Sequence, residues 1–116
     1  MLGRIVLYVH DVDAVTRFYE RHFGFVITRK EGDRIVELSM PSGGASLMLH
    51  PAAKSQKKGQ SLVKLVFDVS DVETFRRDAQ AQGLDFGPLH AAEGYVFCNG
   101  RDPAGNPIQI SSRAFR

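Results

Sequence analysis

One pattern occurs twice in this chain, sixty residues apart. Val9, Asp11, Val12 and Arg17 return as Val69, Asp71, Val72 and Arg77, and Leu47-Met48-Leu49 returns as Ile108-Gln109-Ile110 after one added residue. Such a repeat restricts the chain to folds made of two like modules. Each half is too small to bury a sheet well by itself, so modules of the two kinds are expected to pair, within one chain or by exchange between chains.

The periodicity inside each half is the same. Residues 4–10 alternate, with Ile5, Leu7 and Val9 on one side and Arg4, Val6, Tyr8 and His10 on the other, as in a strand. Asp11 is placed to cap a helix in which Val12, Val15, Phe18, Tyr19 and Phe23 recur at helical spacing, and Gly24 stops it. Strands are predicted over 25–30, 34–40 and 45–50, separated by Gly32-Asp33 and by Pro41 to Gly44. The second half begins with a predicted strand over 62–69. Ser70 and Glu73 have capping-box spacing before a helix marked by Val72, Phe75, Ala79 and Gln82 and ended by Gly83. Strands follow over 86–89, 95–99 (bounded by Gly94 and Gly100) and 106–111. The expected fold is α+β: two βαβββ modules with apolar helices outside and curved mixed sheets enclosing a cup. Residues 1–53 form module 1, 54–61 a loop and 62–116 module 2, in one domain.

Register in the last strand is set by Asp102-Pro103-Ala104-Gly105-Asn106. Pro103 fixes one backbone angle, and Gly105 accepts the left-handed region that closes a tight turn. Beyond it Ile108 and Ile110 alternate with Gln109, which therefore points to the opposite, more polar face.

Composition narrows the function. The net charge is +2, and the basic cluster Lys54, Lys57, Lys58 reads as a solvated loop rather than a nucleic-acid site. No apolar run approaches the ~18 residues of a membrane span, and no signal-peptide pattern opens the chain. Cys98 is the only cysteine, which excludes an intrachain disulfide and points to a cytoplasmic setting. Zinc-type spacings, phosphate-binding glycine motifs and a Gly-x-Ser-x-Gly elbow are absent.

Val9-His10-Asp11-Val12 leading to Phe18-Tyr19, then Phe23-Gly24-Phe25, and Asp102-Pro103-x-Gly105 before Ile108-Gln109-Ile110 together resemble the vicinal oxygen chelate superfamily of glyoxalase I, extradiol dioxygenases and bleomycin-resistance proteins. The resemblance covers essentially the whole chain and implies the fold more than the chemistry, since that scaffold hosts several reactions. Metal-dependent members take four ligands from the first and last strands of the two modules, and the resemblance puts those positions on Arg4, Met48, Lys64 and Gln109. Gln109 can ligate. A guanidinium has no lone pair to give, Lys64 would have to lose its proton beside another cation, and Met48 suits copper(I) better than the family's usual ions. A slip of one residue brings no better donors. The expectation is no metal cofactor.

Arg4 and Lys64 hold matching places in the two halves. One reading gives each a salt bridge, with Glu37 or Asp68, or an end in solvent. The other has them converge in the cup on an acidic ligand, with Tyr8, Met48 and Gln109 lining the same space. The counter-reading for Tyr8, Met48 and Phe97 is core packing. The resemblance implies a parallel first and fourth strand with Arg4 near Met48, which puts His10 and His50 roughly 13 Å apart at ~3.3 Å per residue, too far to share an ion. His22 is expected at the surface near a helix end, His90 in a loop, and Cys98 buried rather than nucleophilic. Two functions follow. The first is a metal-free protein, with no nucleic-acid or membrane partner, that binds a small acidic molecule; the second is a metal-dependent lyase or dioxygenase of glyoxalase type with an unorthodox ligand set. Metal-free acid–base chemistry by Tyr8 or His50 is a third. Relatives are commonly dimers, so a homodimer is expected.

Overall fold

The computed structural model describes residues 1–116. The chain divides into two units, Met1–Lys58 and Gly59–Arg116. The first contains β1 (Arg4–Val9), α1 (Val12–Phe23), β2 (Val26–Thr28), β3 (Val36–Ser39) and β4 (Ser46–Pro51). The second contains β5 (Leu65–Asp68), α2 (Val72–Ala81), β6 (His90–Ala92), β7 (Tyr95–Arg101) and β8 (Pro107–Ser111), followed by a 3-10 turn at Arg113–Phe115. Each unit is a βαβββ module with one mixed four-stranded sheet. The orders are β1-β4-β3-β2 and β5-β8-β7-β6, and the first strand of each module runs parallel to the fourth. The α+β architecture implied by the repeat is therefore the observed one.

Helix α1 starts where Asp11 accepts a hydrogen bond from the Ala14 amide at 3.0 Å, and it stops at Gly24, whose φ of 74° closes the C-cap. Its Val15 and Tyr19 are buried against the sheet, where Leu38, Leu47 and Leu49 are buried in turn. Full burial of such side chains contributes roughly 1.5–3 kcal/mol each, an upper estimate because the unfolded chain is already partly compact. In module 2 the same layer is made by Val72, Ala79, Leu65, Ile108 and Ile110. The alternation puts the opposite face of each sheet outside this core.

Five local expectations are corrected. The N-cap of α2 is Asp71, not Ser70: its carboxylate accepts from both the amide and the hydroxyl of Thr74. Strand β5 begins at Leu65, because Ser61 and Val63 bond to each other in a local turn. No strand occupies 86–89. Gly87 donates its amide to Asn99, but Pro88 has no N–H to continue the ladder, and pairing resumes at His90–Ala92. His90 is thus in a strand, opposite Phe97. Gly100 lies inside β7 instead of ending it, and a Cβ there would meet the buried Phe86 ring at 2.9 Å. Finally, β1 and β4 are shifted by two residues from the expected register: Arg4 lies beside Ser46, Val6 beside Met48 and Tyr8 beside His50.

Candidate functional site

The site residues expected from the sequence are on the face of each sheet away from its helix. In module 1 that face carries Arg4, Val6 and Tyr8 from β1, Met48 and His50 from β4, and Glu37 from β3. Arg4 reaches across β4, and its Nε donates to Glu37 Oε1 at 3.2 Å. Both side chains are well exposed, at 62% and 37%, so the pair contributes little, about 0–1 kcal/mol. The salt-bridge reading of Arg4 is therefore realised, with Glu37 as the partner. Met48 is half-buried beside Val6 and Glu37.

In module 2 the corresponding face carries Val66, Asn99, Gln109 and, just before β5, Lys64. Lys64 Nζ and Gln109 Nε2 each donate to Asn99 Oδ1 at 3.0 Å. Lys64 thus makes the same reach as Arg4, across the fourth strand to the third. Its partner is a neutral amide, not Asp68. Asn99 was missed by sequence reasoning; the signal that could have found it is its place opposite Gln109, which matches that of Glu37 opposite Met48.

The turn before β8 is built on Asp102, which is 4% exposed. Its Oδ1 accepts from the amides of Ala104 and Asn106, both at 2.9 Å, and its Oδ2 accepts from the Asn106 side chain at 3.1 Å. Gly105 has the positive φ the turn requires, 82°, and its amide donates to the Asp102 carbonyl. This carboxylate orients β8 and so aims Gln109 at the open face.

Tyr8 stands apart from Arg4. Its ring lies 5.1 Å from that of His50, and both line a cleft of about 350 Å³ whose further walls are Arg34, Pro51, Ala53 and Gln56. His50 Nδ1 bonds the Pro51 carbonyl and His10 Nε2 bonds the Gln56 carbonyl, so each of those nitrogens is a donor. The revised register brings His10 and His50 to about 7 Å apart along the strand direction. No third His, Cys, Asp or Glu side chain joins them to make a group that could hold an ion. His22 is half-buried against Phe18 rather than at the surface. Burial, then the Arg21 charge, holds its pKa below the ordinary value, opposite to the effect of the helix dipole. Cys98 is fully buried, and burial pushes its thiol pKa up.

The residues at the four positions that the resemblance suggests for a metal are poor donors for a divalent ion. Two carry cations already engaged with Glu37 and Asn99, and no group of three or more His, Cys, Asp or Glu side chains is gathered anywhere. No helix is long and apolar enough to cross a membrane.

Several solved structures share this fold. An antibiotic-binding protein from Streptomyces sp. is 18% identical, with a TM-score of 0.79 over 95% of this chain and 93% of that one. A lactoylglutathione lyase from Agrobacterium tumefaciens is 21% identical, with a TM-score of 0.75 over 99% and 95%. A virulence protein from Salmonella typhimurium is 27% identical, with a TM-score of 0.73 over 96% and 94%. No match is found among curated proteins. The sequence model of one family matches residues 1–110, nearly the whole chain. With the doubled βαβββ architecture already described, the chain belongs to the Glyoxalase/Bleomycin resistance protein/Dioxygenase superfamily.

Proposed function

We propose that this protein binds a small acidic molecule on the open faces of its sheets, without a resident divalent ion. The observation that carries the reading is the pair of cations at repeat-related places, Arg4 and Lys64, where a metal enzyme of this fold needs lone-pair donors. The likeness to an antibiotic-binding protein is in keeping with a binding rather than a catalytic role. Arg4 is largely neutralised by Glu37, whereas Lys64 has only the Asn99 amide, so Lys64 is the stronger anion contact. In module 2 Gln109 shares the Asn99 amide with Lys64 and orients a neutral oxygen of the ligand; in module 1 Met48 and Tyr8 are the corresponding contacts on the face that carries Arg4. The single buried cysteine suits a cytoplasmic setting.

Calorimetric titration with succinate and inorganic phosphate, with and without added divalent metal, tests the reading. Metal-independent binding is expected. A stoichiometric divalent ion in the purified protein, or binding that appears only with metal, replaces it with the lyase or dioxygenase reading. We also propose a homodimer, since Val6 and Val66 are exposed on strands at sheet edges. Sedimentation at micromolar concentration should give twice the chain mass; a monomer overturns this.

A further inference from the structure

We infer that the cleft beside Tyr8 and His50 is a binding site for a small aromatic carboxylate. The inference goes beyond the acidic-ligand reading above, because it rests on module 1 alone and uses neither Arg4 nor Lys64. A cleft of about 350 Å³ lies at the small end of the range for ligand pockets and suits a one-ring molecule. Its wall is a pair of tilted rings, Tyr8 and His50, with centroids 5.1 Å apart. Tyr8 remains 56% exposed, so a large aromatic surface faces the opening. Pro51, Ala52 and Ala53 add apolar surface.

The charge around the opening is positive. Arg34 lines the cleft, and the module's ion pairs, Arg4 with Glu37 and Arg29 with Asp13, leave it unengaged. Lys54, Lys57 and Lys58 are exposed on the adjoining loop. The nearest acid in sequence, Asp33, turns its carboxylate to the Ile35 amide. A planar guanidinium matches a carboxylate through two parallel hydrogen bonds. His50 adds a directional contact: Nδ1 donates to the Pro51 carbonyl, so the neutral ring keeps its lone pair on Nε2 and accepts a ligand hydroxyl. The far wall is held in place before any ligand arrives. Gln56 bonds its own loop through Ala53 in both directions, at 2.7 and 3.0 Å, and its carbonyl accepts from His10.

The test is a heteronuclear NMR titration with benzoate, salicylate, cyclohexanecarboxylate and benzyl alcohol. Benzoate should move the amide resonances of Tyr8, His50, Ala52 and Ala53. Salicylate should bind more tightly through its hydroxyl. The saturated acid and the uncharged alcohol should each bind about fivefold or more weakly. Arg34→Gln should weaken benzoate about tenfold or more, and Tyr8→Leu about fivefold; both side chains are exposed, so neither change threatens the fold. Absence of benzoate shifts in the cleft overturns the inference, as does an Arg34→Gln protein that binds benzoate like the parent. Benzoate binding lost in Lys64→Gln but kept in Arg34→Gln would overturn the cleft and leave the acidic-ligand reading standing. Loss in Arg34→Gln beside an inert Lys64→Gln would keep the cleft and remove that reading for aromatic acids.

Discussion

The two modules solve three common problems with different residues. Where Leu38 lies beside Leu47 in the first sheet, Gly100 lies beside Ile108 in the second. Leu38 completes its core from the sheet; Gly100 leaves that space to Phe86, which enters from the segment before β6. On the opposite face, Glu37 balances Arg4, whereas Asn99 holds Lys64 without cancelling its charge. At the hairpin, Gly43 donates to the Met40 carbonyl and Gly105 to the Asp102 carbonyl, yet only the second turn has a buried side chain gathering its amides. One backbone plan therefore tolerates a relocated core side chain, a changed charge and a changed turn, provided each remains locally satisfied.

The turns give the largest contrast. Asp102→Ala leaves three donors without their acceptor, two of them backbone amides, and should destabilise the protein by about 2–3 kcal/mol. Met40→Ala, at the corresponding turn, should cost less than half as much; denaturant unfolding of the two variants measures the difference. Equal losses would show that the turns are held by backbone alone. The core station comes next. Gly100→Ala drives a Cβ into the Phe86 ring and should cost about 1–3 kcal/mol by overpacking. Gly100→Ala combined with Phe86→Leu should recover part of that loss, and a double variant no more stable than the sum of its parts would break the account of Phe86. The smallest effect concerns the start of α2. The bonds from Thr74 to Asp71, amide first and then hydroxyl, hold the Asp71 carboxyl below its ordinary pKa. The stabilisation is present above the ordinary carboxylate range and is lost as pH falls through the lowered folded-state value. Asp71→Asn should therefore differ from the parent near neutrality, and the difference should shrink in acid. A constant difference would contradict this.

The repeat was legible because several of its carriers are buried or capping residues: Val9, Leu47, Leu49 and Val72 face their cores, and Asp11 and Asp71 begin helices. Periodicity reports burial, so it located both helices and seven of the eight strands. It misplaced β6 because Phe86 is buried without being in a strand, and Pro88 breaks the ladder that alternation alone suggests. Gly100 reads as a boundary in the sequence because a missing side chain looks the same whether it ends a strand or makes room for a ring. The open faces were half legible. Arg4, Lys64 and Gln109 stood out by their repeat-related places, and Glu37 as a partner for Arg4, but Asn99 depends on cross-strand pairing with Gln109. Register is hard to read because a shift of two residues, as between β1 and β4, leaves the same face buried. The Tyr8–His50 cleft depends on that same register.

The difference between Arg4 and Lys64 carries the functional reading, and one titration addresses it directly. Succinate and inorganic phosphate are titrated calorimetrically into the parent, Arg4→Met and Lys64→Met proteins, each in the presence of a metal chelator. The account predicts binding by the parent, a loss of about tenfold or more in Lys64→Met, and a smaller loss in Arg4→Met, because Glu37 already offsets that charge. Binding that requires a divalent ion, or a Lys64→Met protein that binds these acids as the parent does, would contradict it.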